Sequence, residues 1–206
     1  MLSTYEMIKN SLTNYKAPDI KIKRMSDNGE IIKLTKNLYE TDKNISGYLV
    51  ANAIYSPSYL SFDYALAYHG LIPEAVYVYT SATYKKKKKK EYHNSLGVFT
   101  YRDVPENVYP YGIEIIIENE RSYTIATPEK ALCDKLYTIK PIHTKNEMYE
   151  LLFNDLRIDS DSFKNLNYHD LICLCNMYKS TNMKTLMKVI NDFSKNKSRT
   201  KNILKL

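Results

Sequence analysis

The sequence contains no tryptophan, only three cysteines, and five glycines that never stand next to one another. The odd cysteine count, without the spacing of a small disulfide scaffold, indicates reduced thiols rather than a disulfide framework. Scattered glycines exclude a glycine-rich phosphate loop. No apolar run approaches the roughly 20 residues needed to cross a bilayer, and the N-terminal MLSTYEMIKN lacks an apolar signal-peptide core. We therefore expect a cytoplasmic protein with no membrane partner.

What the sequence does contain is positive charge in a chain long enough to fold. Its 206 residues are 44% hydrophobic and the mean hydropathy is -0.46, which predicts a folded soluble protein of one or two domains. The net charge of +7 favours a polyanionic partner, either nucleic acid or an acidic protein. A second explanation stays open, because a chain rich in Lys, Asn, Ile and Tyr is also what an AT-rich genome would encode.

The stretch from Pro57 to Tyr137 has the clearest secondary-structure pattern. It opens with PSYLSFDYALAYHGLIPE, which predicts a helix capped by Ser61 and ended by Gly70. It closes with SYTIATPEKALCDKLY, which predicts a helix with Thr127 as its N-cap and a proline in the first position. Strands are expected between them at AVYVYTSAT, GVFTY and IEIIIE, and residues 113–125 are predicted to form a hairpin. This pattern indicates a compact α+β scaffold.

The first 46 residues predict a small DNA-binding unit. A short helix is expected over residues 4–12 with Ser3 as its cap, and a second helix begins at Pro18 and ends at Gly29. Two short strands, IIKL and LY, follow as a β-hairpin. Helix, turn, basic helix and hairpin is the order of a winged helix-turn-helix, although only two helices precede the hairpin.

Five basic side chains in this unit are candidate DNA contacts. Lysine and arginine provide phosphate contacts, and a helix in the major groove reads base edges. Acidic residues are interspersed, and residues 1–45 hold eight Lys/Arg against six Asp/Glu, so a solvated helix face is the alternative interpretation. The candidates on the second helix and the hairpin are Lys21, Lys23, Arg24, Lys33 and Lys36.

Four blocks of sequence resemble, in order, the AbiEi family of antitoxins. They are YLSFDYALAYHGLIPE, TSAT before a basic run, LGVFTY and YTIATPEKALCDKLY, and the resemblance covers about residues 15–140. It implies an antitoxin and transcriptional repressor of a type IV toxin-antitoxin system, of the kind that acts in abortive infection and phage defence. Its winged-helix domain would bind double-stranded DNA at repeated half-sites in its own promoter. The second domain would counteract a nucleotidyltransferase toxin, by direct contact or by countering the toxin's effect. Asn37 stands where the family often has a glycine before the second wing strand.

A run of six consecutive lysines directly follows a predicted strand. Like charges this dense repel one another and typically mark a solvated loop or strand end. Two functional interpretations stay open beside that one, namely auxiliary contact with a polyanion such as the phosphate backbone, and docking of an acidic protein. The run comprises Lys85, Lys86, Lys87, Lys88, Lys89 and Lys90.

The predicted fold class is α+β, with an N-terminal winged helix-turn-helix followed by a larger α+β domain that ends in a helical, bundle-like segment. A connector with a short strand at Tyr48–Ala51 is expected between them. Apolar stripes on the last helices predict core packing. The predicted parts are a winged-helix domain (1–46) and an antitoxin domain (47–206) made of a mixed α/β core (57–140), a helical segment (145–193) and a basic tail (194–206).

Candidate catalytic and metal-binding residues are few. His169 and Cys173 lie four apart on a predicted helix, but no second Cys/His pair completes the four ligands of a structural zinc site. Asp159 and Asp161 resemble paired metal-binding carboxylates, yet the Gly-Ser turn of nucleotidyltransferases is absent and a helix-capping loop is the ordinary interpretation. We therefore expect no enzyme activity, metal or cofactor. Two alternatives remain, a protein-interaction module without DNA binding and a nucleotide-processing enzyme.

Overall fold

The structure is a computed structural model that describes residues 1–118 and 120–203, with side chains described up to residue 194. Over this part of the chain the fold is α+β, as predicted, with a three-stranded and a six-stranded sheet. None of the helices within these ranges is long and apolar enough to cross a membrane.

The N-terminal unit combines two helices with three short antiparallel strands. In chain order they are β1 (Leu2–Thr4), α1 (Tyr5–Ser11), α2 (Pro18–Asp27), β2 (Ile32–Lys33) and β3 (Leu38–Glu40). The strand order β1-β3-β2 places the first strand against the hairpin. Both helices and the hairpin confirm the prediction, whereas β1 is too short to show an alternating pattern in the sequence. The cap prediction was wrong by one residue, because Thr4 rather than Ser3 accepts the hydrogen bond from the Met7 amide, at 3.2 Å.

This unit has a small hydrophobic cluster of its own and also contributes to the main core. Ile8, Ile22, Ile31 and Tyr39 are buried against one another, so each helix packs one apolar stripe onto the little sheet. The neighbouring Ile32 is buried in the larger core instead. The hairpin therefore has one side in each cluster and ties the unit to the rest of the chain.

The connector forms a helix, α3 (Tyr48–Ile54), so the predicted strand at Tyr48–Ala51 was wrong. Val50, Ala51 and Ile54 are buried, and their spacing puts them on one helical face. A short apolar run has no decisive period of its own. Helical spacing lets these three side chains pack together against the large sheet, and that burial selects the helix.

The six-stranded sheet has the order β6-β7-β5-β4-β9-β8. Its elements and the helices that follow in the chain are β4 (Ser58–Leu60), α4 (Phe62–Tyr68), β5 (Val78–Thr83), β6 (Lys90–Asn94), β7 (Gly97–Asp103), β8 (Ile113–Glu118), β9 (Arg121–Ala126) and α5 (Pro128–Tyr137). Pairing is parallel between β5 and β7 and between β4 and β9, and antiparallel elsewhere. The predicted hairpin of β8 and β9 is confirmed. Strands β4 and β6 were not predicted, since the polar KEYHN of β6 has no strand composition.

Helices α4 and α5 pack together and begin where the sequence predicts. The Thr127 hydroxyl accepts a hydrogen bond from the Lys130 amide at 3.2 Å and caps α5. Ser61 precedes α4 but makes no capping bond, so that part of the prediction was wrong. Its hydroxyl donates instead to the Asp134 carboxylate of α5 at 2.6 Å, because a buried carboxylate requires hydrogen-bond donors.

The remaining chain is helical, as predicted. It consists of α6 (Lys145–Glu150), a π-helical turn that continues it (Leu151–Asp155), α7 (Ser160–Asn165), α8 (Tyr168–Tyr178) and α9 (Thr181–Ile203). The apolar stripes of the last two helices are buried, for example at Leu171 and Leu186, which confirms their predicted packing role. The backbone of α9 is helical as far as Ile203, while the side chains of 195–206, most of the predicted basic tail, lie outside the described residues.

Candidate nucleic-acid interface

Helix α2 presents a mixed cationic and apolar face to solvent. Ile22 is 2% exposed and Met25 packs beside it, which fixes the helix on the small cluster. At 100° per residue, the opposite face carries Ile20, Lys23, Arg24 and Asp27. All four are exposed, and Ile20 retains 55% of its surface. The two cations and the apolar side chain of this face are chemically suited to phosphates and to the thymine methyl group in the major groove, beside one negative charge.

Lys21 lies at the side of this helix rather than on its outer face. Its ammonium is 3.6 Å from the Glu30 carboxylate and 5.9 Å from the centre of the Tyr15 ring. The side chain retains 31% exposure. Lys21 is thus engaged with neighbours inside the unit, and Lys23 and Arg24 are the more available cations of α2.

Asp19, at the start of α2, is turned toward α1. Its carboxylate accepts a hydrogen bond from the Tyr5 hydroxyl at 2.6 Å and pairs with Lys9 at 3.1 Å. These hydrogen bonds, with that of Tyr5 the larger, lower the pKa of Asp19. Its negative charge is therefore partly compensated within the unit, as is that of Glu30 beside Lys21.

The hairpin places two further lysines in solvent. Lys33 on β2 and Lys36 in the turn are both exposed. The turn is closed by the Leu34 amide, which donates to the Leu38 carbonyl at 2.9 Å. Asn37 does not adopt a left-handed backbone conformation, and its carbonyl accepts from the Tyr5 amide at 3.0 Å. Asparagine therefore fits this turn without the conformational freedom of glycine.

A buried ion pair attaches the N-terminal unit to the large sheet. Glu40, at the end of β3, is fully buried, and Arg121 of β9 donates to its two oxygens at 2.8 and 3.2 Å. The terminal amine of Met1 and the Asp42 amide also donate to Glu40. Burial alone would raise the pKa of Glu40, but the hydrogen bonds from Arg121, the terminal amine and Asp42 lower it to about 2. The carboxylate is therefore ionised at neutral pH and holds the unit in a fixed orientation.

The lysine run divides into two parts. Lys85 pairs with Glu106 at 2.9 Å, and the Lys86 ammonium lies 4.8 Å from the centre of the Tyr55 ring. A cation over an aromatic face is attracted by the ring quadrupole. These first two lysines thus have partners within the protein.

The rest of the run is exposed on an anchored loop. The Lys87 amide donates to the Asp103 carboxylate, which also accepts from the Thr83 hydroxyl. The side chains of Lys87, Lys88 and Lys89 are exposed, and Lys90 begins β6. These four lysines form a cationic surface of defined position. Among the interpretations left open by the sequence, both polyanion contact and docking of an acidic protein use this surface.

Strand β6 connects the lysine run to the N-terminal unit. At one end of the strand the Asn94 side chain donates to the Leu34 carbonyl at 3.4 Å, and Lys90 stands at the other end. Four residue steps at about 3.3 Å each separate these ends by about 13 Å. The hairpin and the lysine run therefore lie at the two ends of one edge strand.

The buried network between the sheet and the helices is a feature that the sequence analysis missed. Lys130 and Asp134 are both fully buried, and their charged atoms are 3.3 Å apart. Asp134 accepts hydrogen bonds from the hydroxyls of Ser61, Tyr59 and Tyr178, and Tyr178 also accepts from Lys130 at 2.7 Å. Burial lowers the pKa of Lys130, and Asp134 partly offsets this. The i, i+4 spacing of Lys and Asp in PEKALCD was the signal available in the sequence.

The acidic pair considered as a metal site caps a helix instead. Asp159 accepts from the Ser162 amide at 2.7 Å as the N-cap of α7, and Asp161 pairs with Lys164 at 2.7 Å. The capping interpretation is confirmed.

The His169 ring nitrogen and the Cys173 sulfur are 4.0 Å apart on the surface of α8. In the described part of the chain, no group of three His, Cys, Asp or Glu side chains is placed to hold a metal ion. Among the described residues, this pair therefore lacks a third side chain that could complete a metal site.

No known protein family matches this chain. No curated protein is significantly similar to it in sequence. What the chain does is therefore proposed from its own residues, their geometry and the ordered sequence blocks.

Proposed function

We propose that this chain is an antitoxin that also represses its own promoter. Its N-terminal unit, residues 1–46, is a reduced winged helix that binds double-stranded DNA at repeated half-sites. The larger unit counteracts a nucleotidyltransferase toxin. No catalytic role is assigned to the chain itself.

The observation that carries the DNA-binding part is the outer face of α2. Lys23 and Arg24 are exposed on a helix whose opposite face is buried, and neither pairs with an acid among the described residues. A helix of ten residues is about 15 Å long and reaches into a major groove about 12 Å wide. Lys23 and Arg24 would contact phosphates and guanine edges, and Ile20 would contact thymine methyl groups.

The hairpin supports the same orientation. In a winged helix the hairpin follows the recognition helix and contacts the backbone beside the groove. Here β2 and β3 follow α2 directly, and Lys33 and Lys36 are exposed on them. The ion pair of Glu40 with Arg121 would hold this hairpin against the larger unit during binding.

The antitoxin part rests on the sequence resemblance. Two of its most specific blocks, SFDYALAYHGLIPE and TPEKAL, form helices α4 and α5, which pack on one another. Residues that carry the resemblance thus contribute to one structural unit. This contact supports treating the blocks as parts of a single domain.

The DNA-binding proposal is tested with two matched double substitutions. Lys23→Ala with Arg24→Ala removes two cations from α2, and Lys184→Ala with Lys188→Ala removes two exposed cations from α9. Fluorescence anisotropy would measure binding to the DNA upstream of the gene at two salt concentrations, with scrambled DNA as competitor. We expect the α2 variant to bind at least tenfold more weakly, with a log–log salt slope reduced by about 1.8, since each phosphate contact contributes about 0.9.

The α9 variant should bind within about twofold of the parent protein, a difference of about 0.4 kcal/mol. An equal loss of DNA affinity in both variants would show that the lysines bind polyanions in general, without a specific role for α2. Unchanged affinity in the α2 variant would refute the assignment of α2 as the recognition helix.

A second candidate function, a protein-binding module, is favoured by strand β8. This strand is an edge of the large sheet, and Ile115 and Ile117 on it are 70% and 77% exposed. An edge strand offers unpaired backbone groups to an incoming strand. Glu114 and Glu118 lie on the other face of the strand from Ile115 and Ile117, so the matching partner is an extended segment with apolar residues on one face and basic residues on the other.

Co-expression with the nucleotidyltransferase that the resemblance implies would test this candidate. Ile115→Lys with Ile117→Lys should abolish co-purification, because it places two charges against the partner's apolar side chains. Tyr77→Lys, at a side chain that is 85% exposed outside β8, is the matched control and should have no effect. Retention of the partner by the double variant would exclude β8 as the contact.

A further inference from the structure

A pocket of about 310 Å³ opens between helices α4 and α5 and strands β5 to β7. We propose that it binds a phosphate-bearing small molecule of about mononucleotide size. The pocket lies outside the N-terminal unit, and its volume is at the lower end of the range of roughly 300–1,000 Å³ typical of small-molecule sites. Duplex DNA is too large to enter it. This ligand site uses none of the candidate DNA contacts on α2 and the hairpin.

The pocket has an excess of positive charge. Lys89, Lys90 and Arg102 line it, and no acid pairs with any of these three in the described part of the chain. One further lysine, Lys135, pairs with Asp63 on the opposite wall at 2.6 Å, so these two charges cancel. The one remaining acid in the lining is Glu91, which leaves a net charge of about two positive units, suited to a phosphate monoester.

Arg102 is the cation best placed to recognise a ligand. Its side chain is half-buried, with the guanidinium carbon 5.7 Å from the centre of the Phe62 ring. The ring restricts the position of the guanidinium and leaves its planar donors for another group. A guanidinium in this position binds phosphate oxygens through two parallel hydrogen bonds.

The wall around Phe62 has a strained backbone. Phe62 is 5% exposed and has a φ of 54°, a left-handed conformation that is unfavourable for an aromatic residue. The Thr80 hydroxyl donates to the Ser61 carbonyl and accepts from the Tyr64 amide, which holds the turn. Such strain persists where surrounding contacts over-determine a conformation, as they do at ligand sites.

Phe62 supplies the apolar part of the lining, and Thr100 supplies a hydroxyl. The Thr100 side chain makes no hydrogen bond to the residues that the structure describes, so its hydroxyl is available to a ligand. Cations on one side and a hydroxyl are the groups that bind the phosphate and the ribose of a nucleotide.

Isothermal titration calorimetry of the full chain with AMP, adenosine and inorganic phosphate tests the proposal. We expect AMP to bind at one site per chain, and adenosine to bind at least tenfold more weakly because it lacks the phosphate. Inorganic phosphate should also bind more weakly than AMP, because it leaves the rest of the pocket empty. Equal affinities for AMP and phosphate would refute a mononucleotide-sized site, and equal affinities for AMP and adenosine would refute phosphate recognition.

Three variants locate the binding. Arg102→Gln and Lys89→Ala should each weaken AMP binding about tenfold. Lys88→Ala removes the same charge from the neighbouring lysine, which does not line the pocket, and should change the affinity by less than twofold. Lys89 is exposed, so its variant keeps the test decisive if Arg102→Gln does not fold. Equal weakening by Lys88→Ala and Lys89→Ala, or no saturable binding of AMP by the parent protein, would overturn the proposal.

Discussion

Removing Arg121 should weaken the attachment of the N-terminal unit more than any exposed ion pair could. Arg121 is the bidentate partner of Glu40, whose side chain is fully buried, while the guanidinium itself retains 24% exposure. Arg121→Ala leaves the carboxylate buried with the hydrogen bonds of the terminal amine and the Asp42 amide alone. An incompletely compensated buried charge destabilises the folded state.

The expected cost is about 3 kcal/mol. Breaking a buried ion pair costs roughly 3–5 kcal/mol, and the partial exposure of Arg121 places this pair at the lower end. The pKa of Glu40 agrees in direction. It falls from 4.5 to about 2, because the hydrogen bonds from Arg121, the terminal amine and Asp42 together outweigh the effect of burial.

Urea denaturation of the parent protein and the variant, followed by circular dichroism at several pH values, measures this cost. The folded-state pKa of Glu40 lies below its unfolded value, so the stabilisation is complete above about pH 5 and is lost as pH falls toward 2. The variant lacks one of the donors that lower the pKa of Glu40, so part of that stabilisation is absent. The difference in unfolding free energy should therefore narrow as the pH falls from 5 to 2.

Arg157→Ala is the matched control, because Arg157 and Glu74 form an exposed pair in which 63% and 40% of the side chains remain accessible. Exposed pairs contribute about 0–1 kcal/mol, so this variant should lose less than about 1 kcal/mol. Adding Glu40→Gln to the Arg121→Ala variant replaces the buried carboxylate with a neutral amide and should recover part of the lost unfolding free energy. A cost below 1 kcal/mol for Arg121→Ala, or one independent of pH, would contradict the proposed role of the pair.

Three further substitutions test the core, each by urea denaturation. Asp134→Ala should cost about 3–5 kcal/mol, because it leaves the Lys130 ammonium buried without its carboxylate; a loss below 1 kcal/mol would show that the network is dispensable. Thr127→Ala should cost about 1 kcal/mol by removing the N-cap of α5, whereas Thr127→Ser should be nearly neutral, and equal costs would argue against capping. Gly112→Ala should cost about 1–3 kcal/mol more than Gly29→Ala. Both glycines have φ of +66°, but only a Cβ at Gly112 would meet the Lys130 side chain, at 2.8 Å. Equal losses in the two variants would show that this contact relaxes.

Much of the local structure follows from residues close together in the chain. Thr127 and the proline after it specify the start of α5, and the alternating IEIIIE and SYTIA specify the hairpin of β8 and β9. The failures occur where the local pattern is ambiguous. Tyr48–Ala51 has no decisive period, and burial of Val50 and Ile54 against the sheet made it helical. Ser61 has the side chain of a typical N-cap, but its hydroxyl donates to the carboxylate of Asp134, which is distant in the sequence.

The candidate interface was predictable only in part. The order of helix, helix and hairpin placed Lys23, Arg24, Lys33 and Lys36 in one small unit, because helical and strand periods can be read from short segments. Which cations remain unpaired could not be predicted. Lys21 engages Glu30, a residue that comes close only when the chain turns back after α2.

The α+β class, the N-terminal pair of helices with its hairpin and the surplus of positive charge can be read from the sequence, since composition and short-range periodicity encode them. The pairing of Glu40 with Arg121, 81 residues later, and the contact of Arg102 with Phe62 at the pocket appear only in the folded chain. Such contacts depend on how the strands are ordered in the sheet. Strand order is set by the burial of the whole core, and no local segment of the chain records it.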